Sequence, residues 1–595
     1  MKKNYFLLLA LFFISLISVA QTIQHPALDY INLLEADVNN LNTSVYLNSI
    51  DSDIDSIGNL IVTGDFNGTI DFDPSSSDFI LTANPSPPVG DHPFTYRSAF
   101  VAKYSPSGAL IWAYKLGDDT NIVHVRALKV DKNNNIAITG LYKYDVDFDL
   151  LATQAISSSP SIFKNFVAHY TKNADFNWVN EIDYGTGGSS NMRDIDFKSN
   201  GNVVVAGTFN GQILFINASI VYPILNNSGP NNSFFAELNT SGTWISARHI
   251  QSAYNFSLDS IVIDSNDDII CNIREHNGPY LISRTVRRYF NIGVSAFFEN
   301  IIKLEPSIDT SLVISAINVD SANNVYLGGY FKGTILKDGA IFLISSTADS
   351  HDAFLIKLDN SNNLTWVKTL VPINASEGYI QYLTINNLEI NNTNQVIVTG
   401  SIRGRYDLGN GVSLKAVDPS FYNMYIAKFK SNSNIAWASI FQGNNISNSL
   451  NSNTLNLFNS DIYMYGTIKL ITDFDLDQQD EVNVDIVYND PDLFIVKYND
   501  DSFGGLKNNE DIAPLFIINP TKVIDNAVIT KLSEFKGLET LAVYDSFGFL
   551  MHTQQLEQNS KNTVVTLSNL KTGIYIIKVY NSYNEVMYTT KLIKE

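Results

Sequence analysis

Three observations predict an all-β fold. A strand-and-turn unit recurs with a spacing of 66 residues, marked by Trp112, Trp178 and Trp244. Its apolar segments are four to six residues long, β-branched or aromatic, and bounded by Asn-Asn, Asn-Gly, Ser-Gly or Asp-Asn turn formers. Past residue 20 there is no sustained apolar stripe at the 3.6-residue period of an amphipathic helix. Four strands per unit and seven units predict a seven-bladed β-propeller, each blade lengthened by a loop beyond the minimal ~40–45 residues. A shorter strand-bearing module follows and reads as a small immunoglobulin-like β-sandwich.

The elements run as follows. Lys2 and Lys3 precede the apolar run from Tyr5 to Ile17, and Ser18-Val19-Ala20 supplies small residues. This is the pattern of a secretory signal over residues 1–20. The run is short of the ~20 apolar residues a membrane-spanning helix needs, and no later segment reaches that length, so no transmembrane segment is expected in the mature chain. Residues near 28–35 read as an orphan strand. It is expected to complete the last blade, because the seventh unit runs out into Gly504-Gly505 where its fourth strand should be. The propeller is assigned to 21–501, a linker to 502–512 and the last module to 513–595.

The repeated strand ends in glycine. It appears as Asn59–Gly64, Asn135–Gly140, Asn202–Gly207, Asn324–Gly328, Gln395–Gly400 and Asp461–Gly466, with a degenerate copy at Asp268–Asn272. Glycine there is expected to let backbones approach closely near the axis. A second string leads to tryptophan: Phe100–Tyr104 to Trp112, Phe354–Leu358 to Trp366, and Tyr425–Phe429 to Trp437. All five tryptophans are assigned to one slot, packed between blades, with Leu312 replacing it in the fourth unit after Ile302-Lys303-Leu304. These strings resemble the bacterial seven-bladed β-propeller repeats, over residues about 45 to 505. Asp352-Ala353-Phe354-Leu355-Ile356-Lys357-Leu358-Asp359 matches closely, and Ile70-Asp71-Phe72-Asp73-Pro74 matches a string found in a subset of them.

The last module resembles the type A C-terminal sorting domain of type IX secretion substrates. Asn519-Pro520 stands where that family has Pro-Asn-Pro, with Ile518 replacing the first proline. Val543–Gly548 matches its Val-x-Asp-x-x-Gly turn, and Leu567–Leu570 followed by Gly573-Ile574-Tyr575 matches Leu-x-x-Leu-x-x-Gly-x-Tyr. The resemblance implies an exported protein, secreted or held on the outer-membrane surface of a gram-negative bacterium after periplasmic transit. It also implies that 513–595 engage the type IX machinery and are then removed.

Composition limits the chemistry. The formal charge is −21, of which residues 21–512 carry −24 and 513–595 +1, so nucleic acid is not an expected partner. One cysteine excludes a disulfide framework and cysteine-based zinc or iron–sulfur sites. Alternating aspartates are candidate calcium ligands, since a hard cation takes six to eight oxygens: Asp71 and Asp73; Asp145, Asp147 and Asp149; Asp473, Asp475 and Asp477. Asp51, Asp53 and Asp55 alternate in the same way, and for all of these clusters a solvated strand edge gives the same spacing. His169 takes a strand slot that elsewhere holds Lys103, Lys357 and Lys428, and reads as a surface residue. Cys271 aligns with Thr63 and Thr139 as a buried small residue. Arg274, Arg284, Arg287 and Arg288 mark the fourth unit, either as drift or as an anion-contacting loop. No catalytic residue is assigned. The leading function is a non-catalytic binding or adhesion module for an extracellular glycan or protein. The alternative is a polysaccharide-active enzyme using carboxylates on one propeller face.

Overall fold

In the computed structural model the chain forms two compact units, residues 1–503 and 504–595. The structure describes residues 25–34, 46–83 except 76, and, apart from short connecting segments, 97–500 and 516–594. The signal segment 1–20, the linker 502–512 and Asp477 lie outside the described residues.

Among the described residues the first unit contains seven antiparallel sheets of four successive strands. The first is Tyr46–Ile54, Leu60–Asp71, Ser98–Tyr104 and Leu110–Leu116. The second is Ile122–Val130, Ile136–Lys143, Lys164–Tyr170 and Phe176–Tyr184. The same order repeats through the last sheet, Leu450–Phe458, Asp461–Ile468 and Asp492–Asn499, whose fourth strand is Ala27–Leu34 from the other end of the chain. That strand runs antiparallel to its neighbour, with Leu28 opposite Tyr498 and Leu33 opposite Phe494.

The third strands are buried on both faces because each sheet packs between two others, while fourth strands such as Leu364–Pro372 are partly exposed. A separate apolar cluster fills each seam: Ile61, Ala99 and Val101 of the first sheet meet Val123, Ile138 and Phe166 of the second. The seventh cluster joins Leu34, Tyr463 and Ile495 of the last sheet to Leu47, Val62 and Phe100 of the first. The ring is therefore closed by packing as well as by pairing.

Local chemistry sets each strand's ends. The turn between first and second strands needs one residue with positive φ, filled by Gly58 (φ 87°), Asn134 (68°), Asp267 (64°), Asn323 (61°) and Asn394 (60°). The residue three earlier caps it: Asp131 Oδ1 accepts from the amides of Asn133 and Asn135 at 2.8 and 2.7 Å. The repeated glycine lies inside the second strand rather than at its end, against a bulge of the first strand, and a Cβ on Gly64 or Gly400 would overlap the carbonyl oxygen of Asn48 or Thr384. Neighbouring sheets are also tied where a long connection begins. Asp183 and Tyr184 pair with Leu214 and Ile213 of the next sheet, and Val371 and Pro372 pair with Asp407 and Tyr406.

Three sequence assignments are corrected. Leu312 belongs to the first strand of the fifth sheet, opposite Phe331, and Ile302-Lys303-Leu304 lie in the fourth strand of the fourth sheet. That sheet's third strand is Tyr280–Tyr289, reached by a hairpin from Asn277, so its repeat has no long loop there to align on. Trp244 lies two residues before the tryptophan slot, which Ser246 fills opposite Glu237. Cys271, fully buried, faces Ile261, and Asn272 faces Ser260 across a bulge; by that register Cys271 corresponds to Val62 and Asn272 to Thr63. The interblade role of the tryptophans is otherwise visible: Trp178 Nε1 donates to Thr240 O, and Trp366 Nε1 to Ser431 O, each on the next sheet, at 3.1 Å.

The second unit is a sandwich of a three-stranded sheet (Phe516–Asn519, Asn526–Lys531, Asn562–Thr566) and a five-stranded one (Lys522–Val523, Val586–Lys594, Gly573–Tyr580, Thr540–Asp545, Leu550–Gln555). Ile529, Val543, Val565 and Ile577 form part of its core.

Candidate functional site: the central channel

The first strands of all seven sheets line one channel. Asp51, Lys129, Asp194, Ile261, Ser315, Glu389 and Asn456, one from each sheet in order, border a space of about 200 Å³ open to water. In the second and sixth sheets the inward residue stands two positions before the turn cap, Lys129 before Asp131 and Glu389 before Asn391. The first strands are not hydrogen-bonded to one another as a barrel, so side chains do the bridging. Asp51 accepts from the amides of Ser52 and of Leu128 on the next sheet, both at 2.8 Å. Asp53 does the same with Ile54 and Val130, Asp194 with Ile195 and Ile261, and Asp196 with Phe197 and Ile263. Asn318 donates to Glu389 Oε2 at 3.0 Å, and Asn456 to Ser52 Oγ at 2.7 Å.

Charge is concentrated in this channel. Burial pushes the Asp51 carboxyl up to about 6 and Asp194 to about 7, against the opposing pull of backbone amides and Lys129. Glu389 is pushed to about 7 by the same desolvation, and Asp196 is also raised. The Lys129 ammonium is held protonated, first by Asp53 and further by Asp196, Asp51 and Glu389. One cation therefore serves carboxylates from three sheets. Chemically, the channel wall can hold a proton near neutral pH, but Asp51 and Asp194 each already accept two backbone hydrogen bonds.

The candidate calcium ligands are spread over three sheets. Asp71, Asp147 and Asp473 each begin an Asp-Phe-Asp turn, whose Oδ1 accepts from the amide two residues on at 3.0 Å. The intervening Phe72, Phe148 and Phe474 are fully buried, and their carbonyls accept from Tyr104, Tyr170 and Tyr498. Asp73 and Asp149 accept from Ser75 and Leu151 in a second turn. The amide of Asp475 is the donor to Asp473, and Asp145 accepts at its carbonyl from Asn121 Nδ2 at 2.8 Å. No group of three or more metal-ligating side chains with the geometry to hold a metal ion occurs among the described residues.

The lysine slot is an ion-pair position, within one sheet for Lys103 and Lys357 and across to the next sheet for Lys428. Lys103 meets Asp55 at 2.9 Å, Lys357 meets Asp320 at 3.9 Å and Lys428 meets Asp500 at 3.1 Å. Hydrogen bonds from Lys103 and Asn59 hold Asp55 below the usual carboxylate range despite its burial. His169 in this slot is buried, not on the surface, and lies flat on Trp178 with ring centroids 5.1 Å apart. The third sheet carries the pair reversed, Lys198 on the turn and Glu237 in the slot, at 2.9 Å. The arginines of the fourth sheet are taken up in the same way. Arg288 fills the slot beside Asp264 and Glu299, Arg274 and Arg284 share Asp259, and Arg287 approaches Glu275 while stacking over Phe298. Those internal partners overturn the anion-contacting loop.

Sequence reading missed Lys129, Asp194 and Glu389 as channel residues. The signal was present in the repeat: aligning the turn caps puts Lys129, Asp196 and Glu389 at the position of Asp53.

With this geometry established, comparison with known proteins identifies the second unit. Residues 519–595 match the secretion system C-terminal sorting domain. The chain thus carries a type IX C-terminal sorting module after a propeller-like ring of β-sheets, and that module supports secretion or display at the outer-membrane surface. The chain is 23% identical over 453 residues, 63% of its length, to an uncharacterized WD repeat-containing protein, L264, of Acanthamoeba polyphaga mimivirus, of which it spans 31%. Among solved structures it is similar to the polysaccharide lyase Uly1 (TM-score 0.37, 8% identity, 80% of this chain and 99% of that one). It is also similar to puromycin hydrolase (TM-score 0.33, 7% identity, 71% of this chain and 58% of that one). Among the described residues no helix is long and apolar enough to cross a membrane.

Proposed function

We propose that the protein is a non-catalytic binding module, delivered to the cell surface or medium by residues 513–595 after a signal over residues 1–20 directs it to the periplasm. The observation that carries the export half is the sorting-domain match at 519–595. The binding half is supported by the channel carboxylates. Asp51 and Asp194 each hold two backbone amides, which commits them to joining sheets rather than to transferring protons. A hydrolytic site on this scaffold would need two carboxyls standing ~5–10 Å apart across an open cleft. Deleting 513–595 tests export: the protein accumulates inside the outer membrane, and normal appearance in the medium would overturn the reading. A glycan and protein-ligand array on the released chain, with product analysis of any polysaccharide bound, tests binding against catalysis.

A further inference from the structure

A β-bulge interrupts the first strand of the second and third sheets opposite the repeated glycine, and in both the extra residue is an arginine. Val125 pairs with Gly140 and Ala127 with Thr139, so Arg126 is the extra residue; Met192 pairs with Gly207 and Asp194 with Ala206, so Arg193 is. A bulge re-aims the side chain it carries. Val125, Ala127 and Met192 are buried, whereas Arg126 and Arg193 are exposed. One edge of a first strand pairs with the second strand, and its faces pack on neighbouring sheets, so an exposed side chain there opens toward the channel. Ile50, Asp259 and Ser315 fill the same position in the first, fourth and fifth sheets. Two arginines therefore occupy corresponding positions of neighbouring strands at one mouth of the channel.

These two guanidiniums are left over. Neither has a hydrogen bond or an ion pair among the described residues, whereas Arg274, Arg284, Arg287 and Arg288 of the fourth sheet all meet carboxylates. Asp194, next to Arg193, is engaged with the amides of Ile195 and Ile261. Two residues before each arginine stands a neutral hydrogen-bonding group. His124 Nδ1 meets Asp65 Oδ2 at 2.9 Å, which leaves its Nε2. Asn191 Oδ1 is buried with no partner among the described residues, and such a group in a native protein calls for a water or a ligand. Three residues further along the strands the charge changes sign: Asp53, Asp196 and Glu389 gather there around Lys129. An anion is therefore attracted to the mouth and stopped above the channel carboxylates.

We propose that this mouth binds a single carboxylate-bearing sugar at the end of an otherwise neutral extracellular glycan. Arg126 and Arg193 supply planar forks for the carboxylate, and His124 Nε2 and Asn191 Oδ1 supply hydrogen bonds for the hydroxyls beside it. The net charge of −21 sets the limit of one charge. It repels any polyanion laid across the ring, nucleic acid and polyuronate alike, while a lone acidic terminus meets the two local cations. The proposal rests on the binding-module reading and names its ligand class.

The test is calorimetric titration of the full chain with methyl β-D-glucuronide, against methyl β-D-glucoside and acetate as the neutral sugar and the bare carboxylate. The glucuronide should bind about ten-fold more tightly than either control. Arg126→Gln and Arg193→Gln should each weaken it by about ten-fold with an unchanged melting temperature. Arg126→Lys should keep only part of the affinity, since an ammonium lacks the fork. Equal binding by wild type and both glutamine variants overturns the mouth as the site. No binding of the glucuronide, or equal binding of the glucoside, overturns the carboxylate, and acetate binding as tightly overturns the sugar. Polygalacturonate binding more tightly per residue overturns the limit of one charge. A glycan array with the same protein separates the two readings: neutral glycans bound without any preference for acidic ends sink this inference alone, and an array with nothing bound sinks the binding module with it.

Discussion

The carboxylate of Asp194 accepts a hydrogen bond from the amide of Ile261, 2.8 Å away on the next sheet. Asp51 makes the same bridge to Leu128. These bonds replace the strand pairing that a closed barrel would use near its axis. Removing one leaves an amide without its acceptor, which costs about 1–3 kcal/mol. Asp194→Ala should therefore lower stability to urea by that amount. Asp194→Asn, which keeps one oxygen, should lose less; equal losses would show that the side-chain oxygen to Ile261 contributes nothing.

The channel carboxyls should make ring stability depend on pH, and Lys129 should limit that dependence. Asp51, Asp194 and Glu389 are raised to about 6, 7 and 7, so the folded protein holds protons that the unfolded chain releases near pH 4. Their contribution is complete below the unfolded values and is lost as pH rises through 6 to 7. Lys129 limits that loss by attracting the charged forms. In Lys129→Met the same carboxyls rise further. The variant should melt closest to wild type at pH 5 and fall furthest behind at pH 8. A constant gap would separate the lysine from the carboxyls.

The third sheet offers a charge-reversal test, because Lys198–Glu237 occupies the positions held elsewhere by a turn acid and a strand lysine. Glu237→Lys places two ammonium groups together at a mostly buried position of the third sheet and should cost about 3–5 kcal/mol. Adding Lys198→Asp restores the polarity found at Asp55 and Lys103 and should recover at least half of that loss. Full recovery is not expected, since Glu237 also accepts from Asn202 at 2.7 Å. Absence of any recovery in the double variant would mean that the pairs are not equivalent.

The architecture was legible because turn chemistry and the glycine-bearing strand repeat in almost every unit. Asn134 and Asn323 announce a positive-φ position by residue type alone. The fourth unit was misread for a related reason: with Ile273 at the position of Gly64 and a hairpin in place of the long loop, Lys303 imitated the slot residue that is really Arg288. In the sorting module, Leu550–Gln555 is largely exposed and has little apolar alternation, so its strand is weakly marked in the sequence. The channel was the least legible part. Alternating Asp51 and Asp53 look like a solvated edge in one strand, and only closure of the ring turns that edge toward its neighbour.

Calcium at the Asp-Phe-Asp turns would show as a ligand that raises stability by mass action. Each leading aspartate already caps its own turn, and Phe79 gives Asp71 a second amide at 2.9 Å. These contacts serve the turn without a cation, so millimolar calcium and a chelator should give melting temperatures within a degree of each other. Asp71→Asn should be milder than Asp71→Ala, since an amide oxygen still caps. A calcium-dependent rise that Asp71→Asn abolishes would support the metal reading.

Ring closure depends on the strand Ala27–Leu34. Its backbone pairs with Asp492–Asn499, and its side chains tie the last sheet to the first. Asn32 Nδ2 donates to Gly108 O at 2.7 Å, and Asp29 meets Lys497 at 2.9 Å while Lys497 also holds Asp461. Leu34 is fully buried in the seam with Leu47 and Phe66. Without this strand, Asp492–Asn499 becomes an open edge carrying unpaired amides and carbonyls. That edge ends the cooperativity a closed ring enjoys, because both the first and last sheets lose a neighbour. Leu34→Ala alone should cost about 2–5 kcal/mol as a buried leucine truncation. Deleting 27–34 should lower the melting temperature well beyond that and promote self-association through the exposed edge. Hydrogen exchange gives the sharpest reading: amides of 28–34 facing Asp492–Asn499 should exchange as slowly as those of Asp461–Ile468. If they exchange within seconds while the rest of the last sheet stays protected, the strand does not close the ring in solution.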